Sequence, residues 1–423
     1  MPHHLHQEAL QGFDQAVQDC LESFLGFSFD ASEMKLASLT TKLVGLGLRS
    51  TTLHSPAAFY ASQTACRSLC SQVDPSYEWD CTSETSHTTQ ALAACNAVLP
   101  PDKQLSADNP TNFTNAPPSQ KKISENIDQA TLQQLRTSRQ ADLHYQAHLN
   151  HTTARGAGQW LHATPSKALR LNVHPQHFTT MVKRWLRVPV FREPFNCPHC
   201  DDTVDIHGDH CLVCSCGGDR TKRHNLLRNH FFFVCQSCGL APELERPGLL
   251  EPRPLVGATF ENGLAGDPNQ HRRPADVYVP RWRRGLPAAF DFAVTSGLRP
   301  QVLTAAALDG QAAVQQYEDF KREYLETQRL CESAGIIFVP LVAEADGGGW
   351  GGEAYKVFKE LAKLKSALTG ELENTCALQI QQSLNLVLHR EIARAILRRH
   401  SFLHHEDCLH TVLSATTTIQ SPV

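Results

Sequence analysis

The sequence predicts an α/β fold with a helical amino-terminal region, a small zinc module and then a mixed sheet with flanking helices. Three observations support this prediction. Residues 197–225 concentrate cysteine, histidine and basic residues. Two short runs rich in β-branched and aromatic residues follow at 272–280 and 287–296, and each is typical of a strand. Segments with helical periodicity precede and follow these runs, which favours strands and helices around one metal-binding core.

The amino-terminal region is predicted to be helical. Apolar residues recur at helical spacing in 5–25 and 56–73, and Ser55 followed by Pro56 is a start signal for the second helix. Between 97 and 125 the chain is rich in Pro, Asn and Ser and poor in large apolar residues. The predicted segments are therefore a helical region at 1–96, a flexible linker at 97–125 and a helical connector at 126–195.

Residues 196–219 are predicted to form the zinc module. Two residues separate the first pair of ligands, three separate the second pair, and nine lie between the pairs. This spacing lets two close pairs share one tetrahedral ion, and Gly208 with Asp209 supplies a turn that returns the second pair to the first. The predicted ligands are Cys197, Cys200, His210 and Cys214.

Other cysteine and histidine residues leave alternatives. The surplus candidate ligands are His207, Cys211 and Cys216. Of these, Cys216 could replace Cys214 in the cluster. Cys235 and Cys238 form another close pair, but they lie in an apolar stretch that has no second pair. We expect them to be buried core thiols.

Basic residues follow the zinc module and bracket the first predicted strand. The chain as a whole has a formal net charge of −4, but the field close to a site decides whether it binds phosphate. The residues predicted to contact DNA phosphates are Arg220, Lys222, Arg223 and Arg228, with His224 among them. The second basic group consists of Arg272, Arg273, Arg281, Arg283 and Arg284. Solvated loops without a ligand are the alternative interpretation.

Each of the two predicted strands holds a single acid, Asp276 in the first and Asp291 in the second. The turn-forming residues 283–287 separate the strands. A carboxylate in an apolar strand is costly unless it is paired or holds a metal ion. The two acids therefore suggest a divalent-cation site. Aspartates that cap turns or pair with nearby arginines are the alternative.

The rest of the chain is predicted to continue the α/β core. Residues 301–332 form one helix or a broken pair that ends at Gly335, and 336–343 form a strand. Amphipathic helices follow at 353–368 and 376–399. The glycine-rich segment 347–351 lacks the Lys-Ser/Thr ending of a phosphate loop, so we interpret it as a hinge with Trp350 packed on the core. The adjacent Asp201 and Asp202 lack a surrounding apolar hairpin, so no polymerase site is expected.

Together, the CCHC spacing, the RHN segment at 223–225, the PAD strand and the D-x-x-x-T strand resemble the carboxy-terminal region of non-LTR retrotransposon polyproteins. That region carries a restriction-like endonuclease of the PD-(D/E)XK class, whose core is a mixed sheet with flanking helices. Residues 45–62 are similar to the segment after the polymerase, and 158–165 with 185–191 resemble the approach to the zinc motif. The resemblance implies an endonuclease domain at 220–400 and a tail at 401–423.

The resemblance also implies roles for particular residues. Asp276 and Asp291 match the two catalytic acids that hold Mg2+, but Ala293 stands where the class usually has a lysine. In these transposon nucleases a lysine on the next helix can replace it, and Lys321 is the candidate here. Glu245 lies where an additional acid often occurs. The implied cofactors are structural Zn2+ and catalytic Mg2+, and the implied partners are DNA and element RNA.

Composition sets wider limits. A chain of 423 residues and 46.9 kDa can hold two or three modules. The 15 cysteines of this large chain, whose first residues contain no apolar signal core, predict a reducing nuclear or cytoplasmic location and not a secreted protein. No apolar run is long enough to cross a membrane.

Three functions compete at this stage. The first is a Mg2+-dependent endonuclease domain that nicks target DNA. The second is a catalytically inactive, zinc-stabilised remnant that still binds nucleic acid. The third, a protein-interaction adaptor, leaves Asp276 and Asp291 without a role.

Overall fold

The computed structural model describes residues 2–106, 119–251 and 274–401. The chain divides into two compact units, with the boundary between Asp142 and Leu143. Most of the predicted tail, the middle of the predicted linker, and Arg272 with Arg273 lie outside the described residues. Within the described residues, no helix combines the length and the apolarity needed to cross a membrane.

The first unit is helical, as predicted. Its core packs Tyr60, Ala91 and Ile123 together, each at most 1% exposed. These residues come from three different helices, so the unit is held by helix-to-helix packing. Its α-helices are α1 (Gln7–Leu25), α2 (Ala31–Ser38), α3 (Thr51–Val73), α4 (His87–Val98) and α5 (Gln120–Ser138).

Two boundaries in this unit differ from the prediction. Helix α3 begins at Thr51, before Pro56, because the Ser50 hydroxyl caps it by accepting the Leu53 N–H at 3.1 Å. Helix α5 begins at Gln120, inside the segment predicted as a linker. Ile123 and Ile127 lie one turn apart on that helix and are both 1% exposed. Their burial outweighs the polar composition of the surrounding sequence.

The second unit is α/β, as predicted, and combines helices with a small mixed sheet. The predicted strands around Asp276 and Asp291 and at 336–343 are all present. The Ala-rich segment is a broken series of helices that ends before Gly335, which has a φ of +71°. The strands are β1 (Phe195–Asn196), β2 (Thr203–Val204), β3 (Glu243–Leu244), β4 (Val277–Val279), β5 (Ala288–Thr295) and β6 (Ile337–Glu344). The helices are α6 (Leu143–Thr153), α7 (Pro175–Trp185), α8 (His210–Val213), α9 (Asp219–Ser237), α10 (Leu303–Ala306), α11 (Ala312–Glu323), α12 (Thr327–Ser333), α13 (Gly352–Thr369) and α14 (Glu373–Ser401).

The main sheet has the strand order β3-β4-β5-β6. Strands β3, β4 and β5 are antiparallel neighbours, whereas β5 and β6 are parallel. Helices α10, α11 and α12 form the crossover that a parallel pair requires. Side chains alternate across β5: Phe290 and Phe292 pack against Phe231 of α9, and Ala293 packs against Val314 of α11. Asp291 therefore lies on the α11 side of the sheet.

A buried charged network connects α6 and α7 to the end of β6. Asp346 accepts a hydrogen bond from Arg184 at 3.0 Å and lies 2.7 Å from Nδ1 of His148. Arg184 and Arg187 both donate to Asp209. Burial raises the pKa of Asp346, but His148 and Arg184 outweigh burial and hold it well below its usual range. The network fixes the end of β6 through compensated charges.

The glycine-rich segment that follows β6 is structural. Trp350 is fully buried and its indole N–H donates to Asn385 Oδ1 at 2.8 Å, so its predicted packing on the core is confirmed. A Cβ at Gly347 would lie 2.3 Å from the His151 carbonyl oxygen. Glycine is required there by the close approach of two backbones.

Candidate functional site

The four predicted zinc ligands converge in the structure. Their ligand atoms all lie within 4.8 Å of one another. The Cys200 sulfur lies 3.7 Å from the Cys214 sulfur and 3.3 Å from Nε2 of His210. A tetrahedral zinc with bonds of about 2.3 Å to sulfur separates two sulfurs by about 3.8 Å. The cluster of Cys197, Cys200, His210 and Cys214, called the zinc cluster below, therefore fits a structural zinc ion.

Local backbone geometry brings the two ligand pairs together. Strands β1 and β2 form a short hairpin, and the Cys197 N–H donates to the Asp202 carbonyl at 2.9 Å. The carboxylate of Asp205 then accepts the backbone N–H groups of His207 and His210. This turn places His210 at the start of α8, one helical turn before Cys214.

The alternatives for the fourth ligand are resolved in favour of Cys214. The zinc cluster includes Cys214 and not Cys216 among the described groups. Cys211 is 2% exposed, and burial raises the pKa of its thiol to about 12. Burial likewise lowers the pKa of His207 to about 4. Cys211 belongs to the protein core, and so do Cys235 and Cys238, at 0% and 3% exposed, whereas His207 and Cys216 are half-buried.

The module is anchored to α14 through Asp219. This aspartate begins α9 and is 4% exposed. It accepts hydrogen bonds from Arg394, Arg398 and Arg399. Arg399 also donates to the Cys216 carbonyl at 3.3 Å. A single buried carboxylate thus connects the carboxyl end of the zinc module to the long helix.

Asp276 lies immediately before β4 and is bonded to β5. Its backbone N–H donates to the Phe290 carbonyl at 2.9 Å, and its carboxylate accepts the Phe292 N–H at 2.6 Å. Burial raises the pKa of Asp276, but bonds from His224 and Phe292 and the nearby charge of Lys321 outweigh it, so the pKa is lowered. Asp276 is ionised and faces the part of β5 that carries Asp291.

Asp291 contacts the lysine predicted from the next helix. Lys321 of α11 places Nζ 2.8 Å from Asp291 Oδ2. Ala293 stands where the nuclease class usually has a lysine. It is 5% exposed and packs against Val314 and Val342. Burial raises the pKa of Asp291 to about 6; the cation of Lys321 opposes this and the charge of Asp276 adds to it. The two aspartates, called the acid pair below, are therefore electrostatically coupled.

The structure adds His224 to this site. Its Nε2 lies 3.0 Å from Asp276 Oδ2. Burial lowers the pKa of His224, but Asp276 outweighs burial and raises it. The sequence placed His224 only in the basic segment, because its partner is distant in the chain. The RHN segment was the one signal that could have identified it.

Glu245 lies at the edge of the same site. Its backbone N–H donates to the Asp276 carbonyl at 3.1 Å. Its side chain pairs with Arg228, and that guanidinium also bonds the side chain of Asn229. Arg228, predicted to contact DNA, is therefore occupied by protein groups. Within the described residues, the zinc cluster is the only set of three or more converging ligand side chains, and Glu245, Asp276 and Asp291 do not form such a set.

The predicted phosphate-binding residues do not share one surface. Arg220 and Lys222 are exposed. Arg223 is 5% exposed and donates to the Leu212 carbonyl at 3.2 Å, and burial lowers its pKa to about 10. The prediction that Arg223 contacts phosphate is wrong, because α9 turns this side chain inward onto α8. Its contact braces the helix of the zinc module.

Comparison with known proteins gives no assignment: no protein-family model matches the chain, and no curated protein matches it significantly. The chemistry of the zinc cluster and the acid pair therefore carries the functional proposal.

Proposed function

We propose that this protein carries a Mg2+-dependent endonuclease domain derived from a non-LTR retrotransposon, and that it nicks DNA by phosphodiester hydrolysis. The observation that carries the proposal is the acid pair, with Asp276 immediately before β4 and Asp291 within β5, and Lys321 at 2.8 Å from Asp291. Two carboxylates and a cation around one point are what metal-assisted phosphodiester hydrolysis needs. The resemblance of the sequence to the transposon nucleases supports DNA as the substrate.

The sheet supports the same class of protein. A four-stranded mixed sheet with helices on both faces holds Asp291 in β5 and Asp276 immediately before the neighbouring strand β4, which agrees with what the PD-(D/E)XK resemblance implies. Asp291 lies on the face covered by α11, so a lysine on that helix reaches it. A lysine at position 293 would have to displace Val314 and Val342, which pack against Ala293.

Each side chain has a distinct role in the proposed reaction. A Mg2+ ion held by Asp276 and Asp291 would supply an activated water and neutralise phosphate charge. Lys321 provides positive charge where negative charge develops on the phosphate. His224 orients the Asp276 carboxylate through its contact at 3.0 Å and keeps it ionised. The zinc cluster is structural and holds the helix α8 beside this domain.

The direct test is nicking of supercoiled plasmid by the full chain with Mg2+. Asp276→Ala and Asp291→Ala should each abolish nicking while DNA binding persists or strengthens, because a negative charge near the phosphate is removed. Asp319→Ala is the matched control, since Asp319 is an exposed acid on α11 that pairs with Arg322. Nicking by both acid variants at the wild-type rate would refute the proposed site.

A catalytically inactive, zinc-stabilised nucleic-acid-binding remnant is the second candidate. One observation favours it: each acid of the region has a cationic partner within the protein. Asp276 pairs with His224, Asp291 with Lys321 and Glu245 with Arg228. Such pairs balance charge without a metal ion. Wild-type protein that binds DNA but never nicks it with Mg2+ or Mn2+ would establish this alternative.

A further inference from the structure

A pocket opens at the carboxyl end of β5, between α9, α11 and the zinc-module helix α8. Two arginines contribute to its lining, Arg220 from the first turn of α9 and Arg299 from the loop after β5. Three residues with hydroxyl side chains, Thr295, Ser296 and Tyr317, line it as well. The pocket therefore combines two guanidinium groups with neutral hydrogen-bond donors, a combination suited to phosphate oxygens.

Among the described residues, neither Arg220 nor Arg299 forms an ion pair with an acid, in contrast to Arg228 and Arg399. Arg299 is held in place, because its guanidinium donates to the Thr295 hydroxyl and to the Ser296 carbonyl, both at 3.0 Å. Arg220 is exposed. Positive charge without an acidic partner attracts an anion, and the Arg299 guanidinium is already held in position to bind one.

A second, independent feature leads from this pocket towards the acid pair. Tyr317 and Phe320 of α11 and Tyr324, the residue that follows this helix, form an aromatic ladder, with ring centroids 5.6 Å and 5.2 Å apart. Phe320 and Tyr324 are 49% and 52% exposed. Lys321 lies one helical turn after Tyr317 on α11, so these two side chains share a helix face, and Lys321 follows Phe320 directly in the chain. The ladder thus leaves ring surface open to solvent beside the lysine that contacts Asp291.

We propose that the pocket and the aromatic ladder bind an unpaired nucleic-acid strand next to the cleavage site. The pocket receives a phosphate and the exposed rings stack on bases. Basic grooves with aromatic platforms bind single strands, whereas the bases of an intact duplex are stacked on each other and leave no free face for such rings. The inference rests on the proposed function in one respect, that the scissile phosphate lies at the acid pair.

Dimensions agree with this placement. Asp291 and Thr295 are four positions apart on β5, which corresponds to roughly 13 Å along a strand. That length spans a few nucleotides. One strand could therefore contact the pocket and the acid pair at the same time. Leu212 and Val213, which form one wall of the pocket, lie between the zinc ligands His210 and Cys214. Bound zinc would hold this wall in place.

The test compares binding of the full chain to three nucleic acids without added divalent cation. They are a blunt DNA duplex, the same duplex with a single-stranded DNA tail, and the same duplex with a single-stranded RNA tail. Wild-type protein should bind the tailed DNA at least tenfold more tightly than the blunt duplex. Phe320→Leu and Tyr324→Leu should each weaken binding of the tailed DNA by about tenfold and leave blunt-duplex binding unchanged. Phe320→Tyr and Tyr324→Phe keep the rings and should bind as the wild type does.

Arg220→Ala tests the phosphate pocket separately. It should weaken tailed-DNA binding and reduce the slope of log affinity against log salt by about 0.7, the value for one single-strand phosphate contact. Lys359→Ala removes a charge from an exposed residue of α13 and is the matched control. It should change neither quantity. If the RNA and DNA tails bind alike, the site recognises only bases, through the ladder, and phosphates, through the pocket. Tighter binding of the RNA tail identifies RNA as the strand that the site holds.

Equal binding of tailed and blunt duplex, or leucine variants that bind tailed DNA as the wild type does, would overturn the proposal, and the ladder would then be a protein-docking face. Failure of the nuclease has a different signature. Wild-type protein that never nicks DNA but keeps its preference for tailed substrates refutes the endonuclease and supports the strand-binding site. Normal nicking by the wild type supports the endonuclease. If the Arg220, Phe320 and Tyr324 variants then bind tailed DNA as the wild type does, the strand-binding site is refuted.

Discussion

The ammonium of Lys321 lies 2.8 Å from the carboxylate of Asp291, and this contact joins the middle of β5 to the helix that crosses from β5 to β6. Lys321 supplies from α11 the cation that the nuclease class usually has at position 293. A lysine cannot be accommodated at that position, because Ala293 is packed against Val314. Burial lowers the pKa of Lys321, but Asp291 outweighs burial and raises it, so the lysine is charged at neutral pH.

Replacement of Lys321 should affect the rate of cleavage more than the binding of DNA. We expect Lys321→Ala to lower the single-turnover nicking rate by about a hundredfold or more, because a charge aimed at the developing phosphate charge is lost. Lys356→Ala, an exposed lysine of α13 paired with Glu353, should cut normally. If Lys321→Ala nicks at the wild-type rate while the acid-pair variants are inactive, the metal site stands and the role given to Lys321 is wrong.

Binding of Mg2+ should depend on pH near 6. Burial raises the pKa of Asp291 to about 6, so Mg2+ must displace a proton below that pH. Apparent Mg2+ affinity should be constant above about pH 7 and fall about tenfold per pH unit below 6. Since the cation of Lys321 lowers the pKa of Asp291, Lys321→Ala should move this fall to higher pH. Titration calorimetry between pH 5 and pH 8 measures both effects.

Burial lowers the pKa of His224, but Asp276 outweighs burial and raises it, so the charge of this histidine has to be separated from that of Asp291. A His224→Asn variant separates the two groups: the fall in Mg2+ affinity should persist if Asp291 causes it. Affinity that does not change between pH 5 and pH 7 would contradict the assignment of Asp291 as a Mg2+ ligand.

The ligands of the zinc cluster predict which cysteine substitutions cause loss of the metal. Cys200→Ala and Cys214→Ala should lose the single bound zinc and unfold the module, because zinc binding contributes on the order of 10 kcal/mol to such a fold. Cys216→Ala is the matched control, since Cys216 is adjacent to the cluster but outside it. Elemental analysis of the purified proteins distinguishes them. Zinc retained by Cys214→Ala and lost from Cys216→Ala would reverse the ligand assignment.

Arg223 and Lys222 should behave differently although they are neighbours. Arg223 is buried and donates to the Leu212 carbonyl, so Arg223→Ala should lower the free energy of unfolding by about 1–3 kcal/mol. Lys222 is exposed, so Lys222→Ala should leave stability unchanged and reduce the salt slope of duplex binding by about 0.9 if it contacts a phosphate. Urea unfolding and salt-dependent DNA binding check the pair. A lower salt slope for Arg223→Ala at unchanged stability would restore its predicted role.

The zinc ligands and the strands could be predicted because both depend on local sequence. A chelate needs short spacing within each pair of ligands, and Cys197 with Cys200 and His210 with Cys214 meet it without information from elsewhere. Apart from Asp291 and the polar residues at their carboxyl ends, strands β5 and β6 are apolar, as expected for strands covered on both faces. The amino-terminal boundary of α5 was missed, because Ile123 and Ile127 stabilise that helix only once they are packed against other helices.

The sequence by itself determined the α/β class, the two acids and the candidate zinc chelate, since residue type and short spacing carry that information. Tertiary structure alone decided that Cys214 completes the zinc cluster, that Asp276 contacts His224, that Arg223 turns inward and that an aromatic ladder lies beside Lys321. Each of these relationships depends on which face of α8, α9 or α11 meets its neighbour. Helix packing sets that orientation through side-chain contacts between segments distant in the chain.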